Sequence, residues 1–239
     1  MHARRRWSYR RFDSIRVVFG TDDERQRRYW DENPQYRHVD HPVVRIFAHQ
    51  RLDYIATWLD LGAIDSALDV GCGDGFSTVY MGERIRRVWG VDRSHAMLSH
   101  HPMRTGRLAR GDVMRLPFAD RGVDLVYCWE VLHHLADPVK AVSEMARVSR
   151  RYVLIAEPNR ANPAQAAFAL VDREHRWVLK YSLEFMRGLL RQAGLAVAHS
   201  SSGGFILPNR TPPWAAGALR RLPYASRIGI SNWVLGVKP

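Results

Sequence analysis

Cysteine is scarce in this 239-residue chain, which has only Cys72 and Cys128. Two cysteines are too few for a disulfide framework or a zinc site, so no metal is expected. Both stand in apolar, strand-like runs where a small hydrophobe is the plain reading, and a reducing, cytoplasmic setting is expected. Long apolar runs are missing as well: none approaches the roughly 20 residues that cross a bilayer. Residues 1–11 are basic but have no apolar stretch behind them, which argues against a secretory signal. Lysine is rare. Acid is absent altogether after Glu184, while Arg187, Arg191, Arg210, Arg220, Arg221, Arg227 and Lys238 follow.

A hydrophobic content of 46% with 25% charged residues is ordinary for a soluble globular chain. The length fits one α/β domain with an N-terminal extension and some insertions, large enough to bury a core without staples. Formal net charge is +12, and five of the first eleven residues are arginine. Such a field suits nucleic acid, an anionic membrane or an acidic substrate, and equally a solvated arginine-rich surface. Peripheral membrane contact through the basic C-terminal region therefore stays open, as does the oligomeric state.

Along the chain, residues 43–61 carry Val44, Phe47, Ala48, Leu52, Ile55, Ala56 and Leu59 at helical spacing. Short apolar strands then alternate with helices. Strands are expected at 66–70, 88–91, 107–109, 123–129, 152–156, 195–198 and 228–237. Helices are expected at 77–83, 94–99 with Ser94 as N-cap, 137–149 with Asp137 as N-cap and Pro138 in first position, 162–171, 183–193 and 215–222. The alternation predicts an α/β fold, a doubly wound, mostly parallel sheet covered on both faces. Ligand would bind where the strand ends splay apart, near Val70, Asp92 and Trp129.

Asp69-Val-Gly-Cys-Gly-Asp-Gly75 follows a strand and opens a helix. Its glycines let the backbone turn sharply and approach a ligand closely. The spacing is G-x-G-x-G, with Phe at 76, and not the G-x-G-x-x-G of dinucleotide-binding turns. Asp69 precedes the turn, and a carboxylate there suits a ligand with an ammonium group better than a pyrophosphate.

Ala67-Leu-Asp-Val-Gly-Cys-Gly-Asp-Gly75 resembles the first motif of class I S-adenosylmethionine-dependent methyltransferases. Three further segments resemble their small-molecule branch, typified by the UbiE and type 11 groups: Val88-Trp-Gly-Val-Asp92, Gly111-Asp112 with Leu116-Pro-Phe-Ala-Asp120, and residues 124–138, which include Trp129, Glu130, His133 and His134. The match runs over about residues 64–160 and more loosely over 181–198. The resemblance implies a Rossmann-like seven-stranded sheet of order 3-2-1-4-5-7-6 with an antiparallel last strand. It implies S-adenosyl-L-methionine as cofactor, with Asp92 on the ribose hydroxyls, Arg93 and Met97 beside it, Asp112 on the adenine amino group and the Val113 amide on a ring nitrogen. Asp69, Gly71, Cys72, Gly73 and Gly75 would surround the methionine part, and Trp129 and Glu130 would line the floor. It also implies a lid from the N-terminal extension, residues 1–42, over a domain of 43–239 whose insertions near 158–180 and 203–227 face the substrate.

Methyl transfer is an in-line displacement at a sulfonium, so catalysis rests on positioning the nucleophile and on removing its proton when it is a hydroxyl. Histidine has a pKa near neutrality, which makes His134 and His133 the candidate bases, with Glu157 to orient the ring. The competing reading gives both histidines a structural role in the turn. The expected acceptor is a small metabolite, apolar or aromatic and anionic, methylated on O, N or C. An RNA or protein methyltransferase is the main alternative. The place after the fourth strand, however, holds Trp129-Glu-Val-Leu and not the Asn/Asp-Pro-Pro-Tyr/Phe motif for exocyclic amines, and nucleic acid is a weaker expectation. Cyclisation or aminocarboxypropyl transfer would use a similar cofactor site. A non-catalytic membrane-surface module would not need to keep Asp69, Asp92 and Asp112 together.

Overall fold

A computed structural model describes residues 37–103, 106–171 and 176–239. The N-terminal extension expected as a lid lies, up to residue 36, outside the described residues.

The first helix, α1 (Pro42–Ala56), opens with proline, and the Nδ1 of its N-cap His41 accepts the Val43 amide at 3.2 Å. It ends before residue 61, and Asp60 then caps a 3-10 turn, Leu61–Ala63. Its buried face holds Val43, Val44, Phe47, Ala48, Leu52 and Ile55, interrupted by Arg51. Next come β1 (Ser66–Val70), α2 (Phe76–Met81), β2 (Arg87–Asp92), α3 (His95–His100), β3 (Leu108–Arg110) and β4 (Val123–Trp129). A 3-10 turn, Leu132–His134, leads to α4 (Pro138–Val148) and β5 (Ser149–Pro158). The chain closes with α5 (Pro163–Val171), a 3-10 turn Arg176–Lys180, α6 (Leu183–Gln192), β6 (Ala196–Gly203), α7 (Pro213–Leu219) and β7 (Ser231–Val237).

These strands form one seven-stranded sheet of order β3-β2-β1-β4-β5-β7-β6. Strands β1 to β5 are parallel, and β7 runs antiparallel to both β5 and β6. Alternation along β4 divides the core: Leu125, Tyr127 and Trp129 pack toward α1 and α2, while Val126 and Cys128 face α4 and α6.

Where element ends depart from the sequence pattern, pairing and caps account for the shift. Strand β5 is longer than 152–156 because β7 accompanies it through Pro158↔Ser231. Strand β6 runs on through His199-Ser-Ser-Ser, a poor strand sequence carried by its pairing with β7. Strand β7 starts later than 228 because the Ile228 carbonyl accepts from Asn162 Nδ2 at 2.7 Å instead of joining the ladder. Helix α7 starts at Pro213, an N1 proline, and stops before the paired Arg220-Arg221.

Candidate active site

The parallel strands end on one edge, and β1, lying between β2 and β4, marks the switch point where a crevice opens. The turn after β1 is fixed by backbone bonds: the Gly71 and Cys72 amides both donate to the Val91 carbonyl, at 2.8 and 3.1 Å. Gly71 has φ +75°, and a Cβ there would stand 2.6 Å from Val131 Cγ2. Only glycine lets the turn pass this close to the residues after β4. Gly75, at φ +91°, caps α2.

Asp92 ends β2 and is half-buried. Its Oδ2 accepts the Gly73 amide at 2.9 Å and its Oδ1 the Ser94 amide at 2.8 Å. Burial raises its pKa, opposed by these amide bonds. The acid and the glycine turn are thus already assembled on each other. Met97 lies beneath them, buried, its Cε 3.1 Å from where a Gly73 Cβ would be. Arg93 is half-buried, and its carbonyl accepts from Arg110 Nε at 3.0 Å. The Gly111 amide donates to the Asp92 carbonyl at 3.0 Å, which brings the exposed Asp112 to the same edge. Asp112 closes its own turn by accepting the Met114 amide, and Val113 is buried.

Trp129 ends β4 and Glu130 follows it, on the edge where the parallel strands stop. Trp129 is buried against Phe76 and Trp233, with ring centroids 5.4 and 5.8 Å away. Glu130 has φ +60°, a left-handed conformation that costs a non-glycine residue roughly 1–2 kcal/mol. Strain of this kind gathers at functional sites.

A family model described as a methyltransferase domain matches residues 68–155. A demethylmenaquinone methyltransferase of Mycobacterium sp. (strain JLS) is 30% identical over 168 residues, 70% of this chain and 69% of the relative. A probable S-adenosylmethionine-dependent methyltransferase of Mycolicibacterium smegmatis is 29% identical over 74% of this chain and 70% of its own. The crystal structure of magnesium protoporphyrin IX methyltransferase from Synechocystis PCC 6803 with bound SAM shares the fold. Its TM-score is 0.58 at 18% identity, over 94% of this chain and all of that one (100%). The chain belongs to the class I S-adenosylmethionine-dependent methyltransferases.

Within this methyltransferase, two expected cofactor contacts sit differently from the sequence reading. Asp69 has no exposed surface; its Oδ2 accepts from Ser77 Oγ at 2.5 Å and Thr78 Oγ1 at 2.7 Å. It therefore anchors the first turn of α2 from within the fold. Burial pushes its pKa up to about 7, against the pull of the Ser77, Thr78 and Tyr127 hydroxyls. Cys72 turns its sulfur inward against Gly90, and burial raises its thiol pKa, so it offers the crevice its backbone alone.

The two histidines also divide. Glu157 is fully buried and takes His133, whose Nδ1 lies 2.6 Å from Oε2. The same carboxylate accepts the Val131 amide at 3.0 Å and the Leu132 amide at 2.7 Å. His133 is buried with it, whereas His134 is half-exposed with its ring centroid 3.9 Å from that of His133. The oriented ring is the inaccessible one.

Sequence reasoning missed Arg51. Its side chain is wholly buried on α1, yet it reaches the end of β4: Nη2 donates to Glu130 Oε1 at 2.7 Å and to Ser231 Oγ at 2.5 Å. The guanidinium carbon lies 3.9 Å from the Phe47 ring centroid, with Trp129 and Trp233 just beyond 5 Å. Its Nε and Nη1 have no hydrogen-bond partner among the described residues. The clue was in the pattern: Arg51 falls midway between Phe47 and Ile55 at four-residue spacing, on the buried stripe.

Proposed function

We propose that this methyltransferase methylates an ionisable hydroxyl on a small aromatic or apolar acceptor, with His134 as the base. The observation that carries the cofactor part is the Asp92–Gly73 bond, which presents a carboxylate and a glycine cradle on one edge before any ligand arrives. The residues fit S-adenosylmethionine. A Cβ would fill the cradle at Gly71, and Asp92 has acceptor capacity left for a diol.

When bound, S-adenosylmethionine supplies a methyl group on a positively charged sulfur. Asp92 would hold the ribose hydroxyls, with Arg93 and Met97 shaping that wall. Asp112 and the Val113 amide would take the adenine edge. Gly71, Gly73 and Gly75 would pass under the methionine part, whose floor would be Trp129 and Glu130, the latter held from within the fold by Arg51. Asp69 acts at one remove, by holding α2 in place. His134 would accept the proton of the acceptor hydroxyl, with the buried His133–Glu157 pair fixing the turn beneath it. The insertions at 158–180 and 203–227 would select the acceptor.

Calorimetry with S-adenosylhomocysteine tests the pocket: wild type should bind, and Asp92→Ala and Arg51→Met should each lose at least tenfold in affinity. A wild-type protein that ignores both S-adenosylmethionine and its demethylated product ends this reading. For the base, His134→Ala should lower turnover on a phenolic acceptor by about 100-fold or more with cofactor affinity intact. A loss below tenfold would remove His134 from the reaction.

A further inference from the structure

Large apolar side chains left in solvent are not spread over the described surface. Of the seven, only Val139 lies outside the segments that follow β5 and β6; the others are Leu170, Val171, Leu179, Trp214, Leu222 and Ile228. Leu170, Val171 and Trp214 are 76%, 80% and 81% exposed. Helix α5 reads Pro-Ala-Gln-Ala-Ala-Phe-Ala-Leu-Val and fully buries Ala169 alone. Among the described residues nothing covers the outer side of this apolar helix, where Leu170 and Val171 stand.

These segments adjoin one another. Asn162 and Gln165, at the start of α5, bond to the carbonyls of Ile228 and Ile230. Arg210, four residues before Trp214, lies over the Phe168 ring with its guanidinium carbon 4.2 Å from the centroid. Among the described residues the exposed charges of these segments are basic: Arg160, Arg210, Arg220, Arg221 and Arg227. In sequence Asp172 and Glu174 stand between Val171 and Leu179 and leave the two segments with a net positive charge.

We propose that this face docks on an anionic lipid surface. Leucine, valine, isoleucine and tryptophan would enter the boundary between headgroups and acyl chains, where an aromatic ring with a polar edge is favoured. Arginine stems would lie along the apolar layer with their guanidinium groups on lipid phosphates. Charge favours this occupant over a second copy, which would set basic face against basic face. The docking does not depend on which acceptor atom is methylated.

The full-length protein is sedimented with vesicles of roughly one part phosphatidylglycerol to two parts phosphatidylcholine, and with phosphatidylcholine alone. Binding is expected only to the anionic vesicles, and it should fall as salt rises. Leu170→Ser with Val171→Ser, Trp214→Ala, and Arg220→Gln with Arg221→Gln should each weaken binding at least fivefold. Their affinity for S-adenosylhomocysteine should stay unchanged, which shows the fold intact. Brominated acyl chains should quench wild-type tryptophan fluorescence, and Trp214→Phe should lose most of that quenching. No pelleting would overturn the proposal. So would equal pelleting of the Leu170/Val171 variant and wild type, which would assign the attachment to other basic segments. A dimer in light scattering that the same substitutions dissolve, without lipid binding, would assign the face to a second copy.

Discussion

At Gly75 a Cβ would lie 2.5 Å from His101 Nε2, so the glycine turn is packed directly on a buried imidazole. His101 Nδ1 accepts the Met103 amide at 3.1 Å, which leaves the proton on Nε2 to donate to Thr78 Oγ1 at 3.2 Å. Thr78 in turn donates to Asp69. Burial lowers the His101 pKa to about 4 and raises that of Asp69 to about 7. The two groups therefore act on stability in opposite directions. Between about pH 4 and 6.5 the unfolded chain binds the histidine proton and the native one does not, so His101 makes stability rise with pH. From about pH 4 to 7 the native state holds the Asp69 proton that the unfolded chain has released, so Asp69 makes stability fall. In Asp69→Asn the rising contribution is left unopposed, and in His101→Gln the falling one is. Urea midpoints across pH 4–8, compared with wild type, should diverge in those two directions by the order of 1–3 kcal/mol. Parallel curves for the two variants would show that the relay does not titrate as the geometry requires. At Gly71, alanine at φ +75° would also strike Val131, so Gly71→Ala should cost at least tenfold in cofactor affinity, read by calorimetry.

On the scale of elements, the segment from β4 to α4 is held by acids at both ends. Glu157 reaches across from β5 to take the Val131 and Leu132 amides and His133 Nδ1, and Asp137 Oδ1 accepts the Lys140 amide at 2.9 Å. In Glu157→Gln a side-chain N–H₂ replaces one of those acceptor oxygens and opposes donors. Stability should fall by roughly 1–3 kcal/mol in urea unfolding, and cofactor affinity should fall with it because Val131 packs on Gly71. Unchanged stability would mean the turn holds without the carboxylate. Asp137→Ala should cost about 1 kcal/mol with cofactor affinity unaffected, since the cap lies beyond the turn. The cap was legible in sequence because Asp-Pro ahead of an apolar stripe is a local pattern. The pairing of Glu157 with a histidine was also expected from sequence, but its hold on the Val131 and Leu132 amides was not, because those partners lie 25–26 residues away and meet it only through β4–β5 pairing.

For the molecule as a whole, a ligand that binds only the folded state adds RT ln(1 + [L]/Kd) to its stability. S-adenosylhomocysteine at a hundredfold over its Kd should therefore contribute about 2.7 kcal/mol, visible as an upward shift in melting temperature. Asp92→Asn should fold and melt cooperatively but show little of that shift. A full shift in the variant would take Asp92 out of the pocket.

The sequence alone determined the strand–helix alternation, the glycine turn with its spacing, the carboxylates at 92 and 112, and the cofactor family. Each is written in residues close together in the chain, where period, spacing and turn chemistry act locally. Tertiary structure decided what distant partners do: that Asp69 faces inward, that Glu157 takes His133 and not His134, and that Arg51 reaches Glu130 and Ser231. Those outcomes depend on which side chains burial and hydrogen bonding bring together across the sheet, and no local pattern encodes a partner 79 or 180 residues away.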